Sequence, residues 1–125
     1  MRALVIDDSR AMRMMLRREL NKLGFDEVFE AEDGRDGMAK LEELGSVEVV
    51  LVDWTMPVMD GLTFVKEVRA QATFEKVRVV MVTSENDPAQ IFHALMAGAD
   101  EYATKPITGE ALAEKLGLVG LDGQG

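Results

Sequence analysis

The sequence predicts an α/β fold with a doubly wound, five-stranded parallel sheet. Five short apolar runs rich in β-branched residues recur along the chain without strict polar alternation, which is typical of strands buried on both faces. Amphipathic helical patterns separate these runs, so the predicted order is β-α repeated five times. Because crossovers between parallel strands are right-handed, this order places helices on both faces of the sheet.

The predicted strands are all short, and the second and fifth have the weakest signals. Glu30 interrupts the apolar character of the second run, and the fifth contains only three residues. In chain order, the predicted strands comprise residues 3–6, 28–31, 47–52, 77–82 and 101–103.

Five further stretches place apolar residues three or four positions apart, the spacing of one face of a helix. These apolar positions are Met12, Met15, Leu16, Leu20 and Leu23; Met38, Leu41 and Leu44; Leu62, Val65 and Val68; Ile91, Leu95 and Met96; and Ala111, Leu112 and Leu116.

Capping residues indicate where the last two helices begin and end. Asp87 followed by Pro88 predicts an N-cap and a first-turn proline, and Thr108 predicts the cap of the fifth helix. Gly117 and Gly120 each cost a helix about 1 kcal/mol relative to alanine. We therefore expect the fifth helix to end early.

The 125-residue chain is long enough for one domain. We expect residues 1–118 to form it and the glycine-rich residues 119–125 to be a flexible tail. The absence of cysteine excludes disulfides, thiolate zinc sites and cysteine nucleophiles.

The formal net charge of −9 does not fit a nucleic-acid-binding surface or an anionic membrane surface. The first apolar run is too short for a signal peptide, and no stretch reaches the roughly 20 apolar residues of a membrane span. We expect a cytoplasmic monomer that binds neither nucleic acid nor membrane.

Polar residues follow four of the five predicted strands. Asp7 and Asp8 follow the first strand, Asp53 the third, Thr83 the fourth and Lys105 the fifth. Each alone is compatible with a cap, a turn or a surface charge. Since ligands of open α/β sheets bind beyond the carboxyl ends of the strands, we expect these residues to converge there.

Three converging carboxylates need a counter-charge. Two carboxylates about 5 Å apart repel by roughly 3 kcal/mol at an effective dielectric constant near 20, so three pairs cost on the order of 10 kcal/mol. Lys105 offsets only part of this repulsion. Either one carboxylate is protonated or a cation binds. A few oxygen ligands suit Mg²⁺ better than Zn²⁺.

A carboxylate beside Mg²⁺ and an amine can accept a phosphoryl group, because phosphoryl transfer depends mainly on positioning and on neutralising oxygen charge. Asp53 would be the nucleophile, with Asp7 and Asp8 holding the metal. Lys105 and the Thr83 hydroxyl would contact the phosphoryl oxygens.

At these residues the sequence resembles the receiver domain of two-component response regulators, and most closely the single-domain chemotaxis branch. The likeness spans residues 1–116, and its combined motif is far more specific than any one segment. The matching segments are VIDDS at 5–9, VDWTMPVMDG at 52–61, VTS at 82–84 and GADEYATKP at 98–106. The resemblance implies a flavodoxin-like (βα)5 fold with strand order 2-1-3-4-5.

The resemblance also implies the roles of the site residues. A partner histidine kinase would phosphorylate Asp53. Asp8, Asp53 and the backbone carbonyl of Thr55 would bind Mg²⁺ directly, and Asp7 would act mainly through water. The bond between Lys105 and Pro106 would be cis.

Thr83 and Tyr102 resemble the switch pair of the family, in which the ring rotates inward behind the hydroxyl. This switch would alter the surface formed by the fourth helix, the fifth strand and the fifth helix, where family members meet protein targets. Thr55, which stands where that branch often has asparagine, and Glu85 would tune the phosphoryl lifetime.

The sequence therefore predicts a stand-alone phospho-acceptor that signals by protein contact in chemotaxis or motility and dephosphorylates itself, without turnover of an external substrate. An intermediate phosphorelay receiver and a receiver fragment of a multidomain regulator remain alternatives. Adjacent Asp7 and Asp8 argue against an aspartyl-phosphate phosphatase, which commonly carries Asp-x-Asp, and against a flavin binder, whose phosphate they would repel. His93, the only histidine, fits an ordinary helix residue, so the phosphodonor must come from outside the chain.

Overall fold

A computed structural model describes residues 1–84 and 86–121. Five parallel strands form one sheet in the order β2-β1-β3-β4-β5, which confirms the predicted fold class and strand order. The strands are β1 (Arg2–Ile6), β2 (Glu27–Ala31), β3 (Val49–Val52), β4 (Arg78–Thr83) and β5 (Glu101–Thr104). The helices are α1 (Arg10–Lys22), α2 (Gly34–Leu44), α3 (Gly61–Arg69), α4 (Pro88–Ala97) and α5 (Gly109–Leu118), with a short 3-10 helix at Ala72–Phe74.

The sheet is buried on both faces, as its apolar strands predict. Alternate residues of β1 point to opposite sides: Leu4 and Ile6 join the core cluster beneath α2, α3 and α4. Ala3 and Val5 join the cluster beneath α1 and α5. The central strands are therefore shielded from water, and only their carboxyl ends open toward the site.

Short polar side chains cap the N-termini of the α-helices. Asp87 accepts a hydrogen bond from the Ala89 N–H at the start of α4, and Thr108 accepts one from the Ala111 N–H at the start of α5. The fifth helix passes through Gly117 and ends at Leu118, and Gly120 follows with a positive φ of 87°. Residues 122–125 of the predicted tail lie outside the described residues.

The apolar spacing of the fourth helix predicts that Met96 fills the core, and this prediction is wrong. Met96 is 70% exposed and Leu95 is 40% exposed, whereas Ala94 is fully buried. The physical reason is that α4 contacts the core through a narrow strip, with Ala94 buried and Ile91 and Ala97 packed partly against the same cluster. None of the helices in the described part of the chain combines the length and hydrophobicity that a bilayer crossing needs.

Candidate functional site

The register of the sheet brings the strand-end residues to one place. Ile6 of β1 is paired with Val52 of β3, so Asp7 and Asp53, the next residue on each chain segment, leave the sheet side by side. The Asp53 N–H donates to the Ile6 carbonyl at 3.0 Å, which extends the pairing to the site itself. Two carboxylates that are distant in sequence thus become neighbours through backbone hydrogen bonding.

Asp8 completes a cluster of three carboxylates. One carboxylate oxygen from each of Asp7, Asp8 and Asp53 lies within 4.8 Å of the others. Asp7 and Asp53 are 2% and 7% exposed, while Asp8 faces solvent. We call this cluster of two buried carboxylates and one exposed carboxylate, together with the neighbouring Lys105, the acidic pocket. Its hard oxygen donors fit a cation that keeps part of its water shell.

Lys105 supplies the ammonium of this pocket. The N–H of Lys105 donates to the Thr83 carbonyl at 2.8 Å, which fixes the backbone next to the end of β4. Its Nζ donates to Oδ2 of Asp7 at 2.9 Å and to Oδ2 of Asp53 at 3.1 Å. One ammonium thus bridges the two buried carboxylates.

Burial alone would lower the pKa of Lys105. The hydrogen bonds to Asp7 and Asp53, together with the negative charges of both carboxylates, outweigh burial and raise the pKa above that of an ordinary lysine. The side chain therefore stays protonated at neutral pH. Its one positive charge leaves the three carboxylates only partly compensated, which favours a divalent cation.

The backbone around Asp7 is held from three directions. Its N–H donates to the Ala31 carbonyl at 3.1 Å, and its carbonyl accepts from Nη1 of Arg13 at 2.7 Å. Its Oδ1 accepts from the Ser9 N–H at 2.9 Å, and Ser9 also caps α1. The sequence did not indicate the Arg13 contact, because helical periodicity alone places Arg13 on a solvent-facing side.

The loop after Asp53 is packed against the start of α3. The Gly61 N–H donates to the Trp54 carbonyl at 2.8 Å, and a Cβ added at Gly61 would collide with the backbone carbonyl of Asp53. Glycine is required here for close backbone approach, which sequence reasoning missed. Thr55 lies on this loop with its side chain exposed.

The two residues of the predicted switch lie on adjacent strands. Thr83 ends β4 and is 1% exposed. Tyr102, in β5, is opposite Met81 of β4 and is 5% exposed within the core cluster beside α4. The peptide between Lys105 and Pro106 is cis, as predicted from the resemblance. Glu85, the other predicted tuning residue, lies outside the described residues.

The profile of the family described as the response regulator receiver domain matches residues 3–117. The chain belongs to this family. The match includes every strand-end residue of the pocket, and it confirms the family identified from the four sequence segments. The receiver domain is thus a component of two-component signalling.

Several of the similar proteins are named as chemotaxis proteins. The receiver domain is 40% identical over 119 residues to chemotaxis protein CheY1 of Helicobacter pylori, covering 95% of this chain and 96% of that protein. It is 43% identical over 116 residues to the chemotaxis protein CheY homolog of Campylobacter jejuni, covering 93% and 89%. The solved structure of Vibrio cholerae chemotaxis protein CheY4 has a TM-score of 0.87 at 35% identity and covers 94% of this chain and 97% of that one.

The raised pKa of Lys105 gives the stability of the receiver domain a defined pH dependence. The contribution of the ammonium is fully present below the pKa of an unfolded lysine and is lost as the pH rises through the higher folded-state pKa. We expect Lys105→Met to lower the free energy of unfolding by a constant amount between about pH 7 and about pH 10, and by less at higher pH.

Urea unfolding at a series of pH values measures this difference. Lys66→Met, which removes an exposed lysine of α3, is the matched control and should follow the wild-type profile. A Lys105→Met deficit that persists unchanged far into the alkaline range would contradict the assignment of the bridging charge.

Proposed function

We propose that Asp53 accepts a phosphoryl group from a phosphohistidine of a partner histidine kinase, and that the protein is a chemotaxis response regulator. The single observation that carries this proposal is the pocket itself: three carboxylates within 4.8 Å and the Lys105 ammonium bridging two of them. The similarity to relatives that are named as chemotaxis proteins supports the assignment of this protein to chemotaxis.

Asp53 is the nucleophile in the proposed reaction. One of its carboxylate oxygens forms a bond to phosphorus while the P–N bond of the phosphohistidine breaks. The electron pair of that bond leaves with the imidazole nitrogen, which takes a proton from solvent. Asp53 then carries an acyl phosphate, and attack of water on phosphorus later releases inorganic phosphate and restores the carboxylate.

In this proposal Asp8, Asp53 and the Thr55 carbonyl would hold Mg²⁺ directly, and Asp7 would act through water; the three clustered carboxylates supply the oxygen donors that Mg²⁺ prefers. When bound, Mg²⁺ supplies positive charge to the phosphoryl oxygens and relieves repulsion among the carboxylates. The exposure of Asp8 beside two buried acids supports this assignment, because it leaves one side of the pocket open to metal water and to the phosphodonor.

Lys105 and Thr83 are the proposed contacts to the transferred group. The Lys105 ammonium, 3.1 Å from Oδ2 of Asp53, would pair with a phosphoryl oxygen as negative charge builds there. The Thr83 hydroxyl would donate to a second oxygen from the end of β4. Thr55 and Glu85, which lie two positions after Asp53 and Thr83 in the sequence, would set the lifetime of the acyl phosphate.

Thr83 and Tyr102 would carry the signal to the surface. Tyr102 is buried against the core beside α4. We propose that its ring exchanges between this position and a more exposed one, and that phosphorylation holds the buried position by drawing Thr83 toward the phosphoryl group.

The surface formed by α4, β5 and α5 is the proposed docking site for a protein target. Phe92 and Met96 of α4 and Leu118 of α5 are 61%, 70% and 63% exposed, so these two helices offer apolar side chains to a partner. We further propose that residues 1–118 act as a cytoplasmic, monomeric receiver domain with residues 119–125 as its tail, and that neither nucleic acid nor membrane is a partner.

Transfer from a small phosphodonor tests the proposal without the kinase. Acetyl phosphate with Mg²⁺ is expected to add one phosphoryl group per chain, measured by intact-mass spectrometry, and the addition should disappear when EDTA replaces Mg²⁺. Equal incorporation in EDTA would contradict the metal assignment. Sustained hydrolysis of a phosphomonoester over many cycles would indicate a phosphatase instead.

A further inference from the structure

The Arg13 side chain connects the acidic pocket to strand β2. Its Nη1 donates to the Asp7 carbonyl at 2.7 Å, and its Nε donates to Oε1 of Glu30 at 3.0 Å. The side chain is only 14% exposed, so this fork is largely shielded from water. Arg17, one turn further along α1, pairs with the other oxygen of Glu30 at 2.7 Å. Glu30 thus receives one guanidinium on each carboxylate oxygen.

The negative charge of Glu30 holds the Arg13 guanidinium in place. Burial would raise the pKa of Glu30, but the hydrogen bonds and charges of Arg17 and Arg13 outweigh burial and hold the pKa below its usual range. Glu30 is therefore ionised at neutral pH. Its carboxylate fixes the direction from which the Arg13 guanidinium reaches the Asp7 carbonyl.

The position of Asp8 depends on the peptide that Arg13 holds. The Asp7 carbonyl belongs to the peptide unit that leads into Asp8, so a contact at this carbonyl orients the Asp8 backbone. Within residues 1–84 and 86–121, no hydrogen-bond donor contacts the Asp8 carboxylate. Its distance to the other two carboxylates is therefore set through the backbone.

We propose that Arg13, braced by Glu30, is a positioning residue for the cation site, because it holds Asp7 and Asp8 at the spacing from Asp53 that Mg²⁺ needs. This inference rests on the proposed Mg²⁺ site. It assigns to Arg13 a role like that of the hydrogen-bond partners that orient metal ligands in other proteins, whose loss weakens metal binding roughly 10- to 100-fold.

The sign of the effect separates positioning from simple electrostatics. Arg13 is a positive charge near three carboxylates, so removing that charge alone would tighten Mg²⁺ binding. Loss of positioning has the opposite effect. Arg17 provides the matched control, because it pairs with the same carboxylate of Glu30 but makes no hydrogen bond to Asp7 within the described residues.

Calorimetric titration with Mg²⁺ alone, well below the unfolding temperature, is the test. Arg13→Met is expected to raise the dissociation constant roughly tenfold relative to wild type. Arg17→Met should leave it unchanged or slightly lower. Arg13→Lys should recover part of the loss, since an ammonium can donate to the Asp7 carbonyl. If Arg13→Met does not fold, Arg13→Lys and Arg17→Lys are compared instead. The dissociation constant for Mg²⁺ should then rise for Arg13→Lys and should be unchanged or slightly lower for Arg17→Lys.

Two results would overturn the inference, and they have different meanings. In the first, the wild-type protein binds Mg²⁺ and the Arg13 and Arg17 variants have equal dissociation constants. This result would show that Arg13 has no positioning role, while leaving the proposed function intact. Absence of Mg²⁺ binding by the wild-type protein would overturn the proposed metal site and the Arg13 role together.

Discussion

Replacing Asp53 by asparagine is expected to abolish Mg²⁺-dependent incorporation of a phosphoryl group from acetyl phosphate. An amide has nearly the same shape as a carboxylate, but it lacks the anionic oxygen that attacks phosphorus. The side-chain oxygen of the introduced asparagine can still accept a hydrogen bond from Lys105, which lies 3.1 Å from Oδ2 of Asp53 in the wild-type protein. The variant should therefore fold, and intact-mass spectrometry should show the unmodified chain only.

Asp60→Asn is the control for this experiment. Asp60 caps α3 on the same loop, and asparagine is about as good an N-cap as aspartate. This control variant should fold normally and be labelled like the wild-type protein. Labelling of Asp53→Asn at the wild-type level would show that another residue is the acceptor.

Gly61→Ala is expected to lower the free energy of unfolding by about 1–3 kcal/mol, in the range of other overpacking substitutions. The new methyl group would collide with the Asp53 carbonyl and lie 3.0 Å from the Trp54 Cα, and both contacts are with backbone rather than with a side chain that could turn away. The backbone bearing Asp53 must therefore shift, so phosphoryl incorporation should fall as well. Urea unfolding and the rate of labelling measure the two effects.

Gly117→Ala is the matched substitution in another helix. A Cβ at Gly117 would meet nothing within 4 Å, so alanine there should stabilise the protein by up to about 1 kcal/mol through helix propensity. Equal stability of Gly61→Ala and the wild-type protein would contradict the close approach at Asp53.

The fold and the convergence of the site residues follow from patterns that are local in sequence. Buried strands without alternation imply parallel pairing, and parallel strands end at the same edge of the sheet. Asp7, Asp53 and Lys105 could therefore be placed together before any coordinates were known. The register that sets Ile6 opposite Val52, and thereby Asp7 beside Asp53, is not visible in the sequence.

Packing between separate elements could not be predicted from local patterns, and the contacts that support the site are of this kind. Arg13 has the spacing of a solvent-facing helix residue, yet it reaches Glu30 on a neighbouring strand. Gly61 resembles a turn glycine, yet its requirement comes from the Asp53 carbonyl. Met96 fits an apolar helical pattern, but α4 buries too narrow a strip to cover it.

Mapping the phosphoryl group to a residue tests the central claim most directly. The wild-type protein would be treated with acetyl phosphate and Mg²⁺, digested, and sequenced by tandem mass spectrometry under conditions that preserve acyl phosphates. The account predicts a single modified residue, Asp53. A phosphoryl group found instead on Asp8, on His93 or at scattered positions would contradict it.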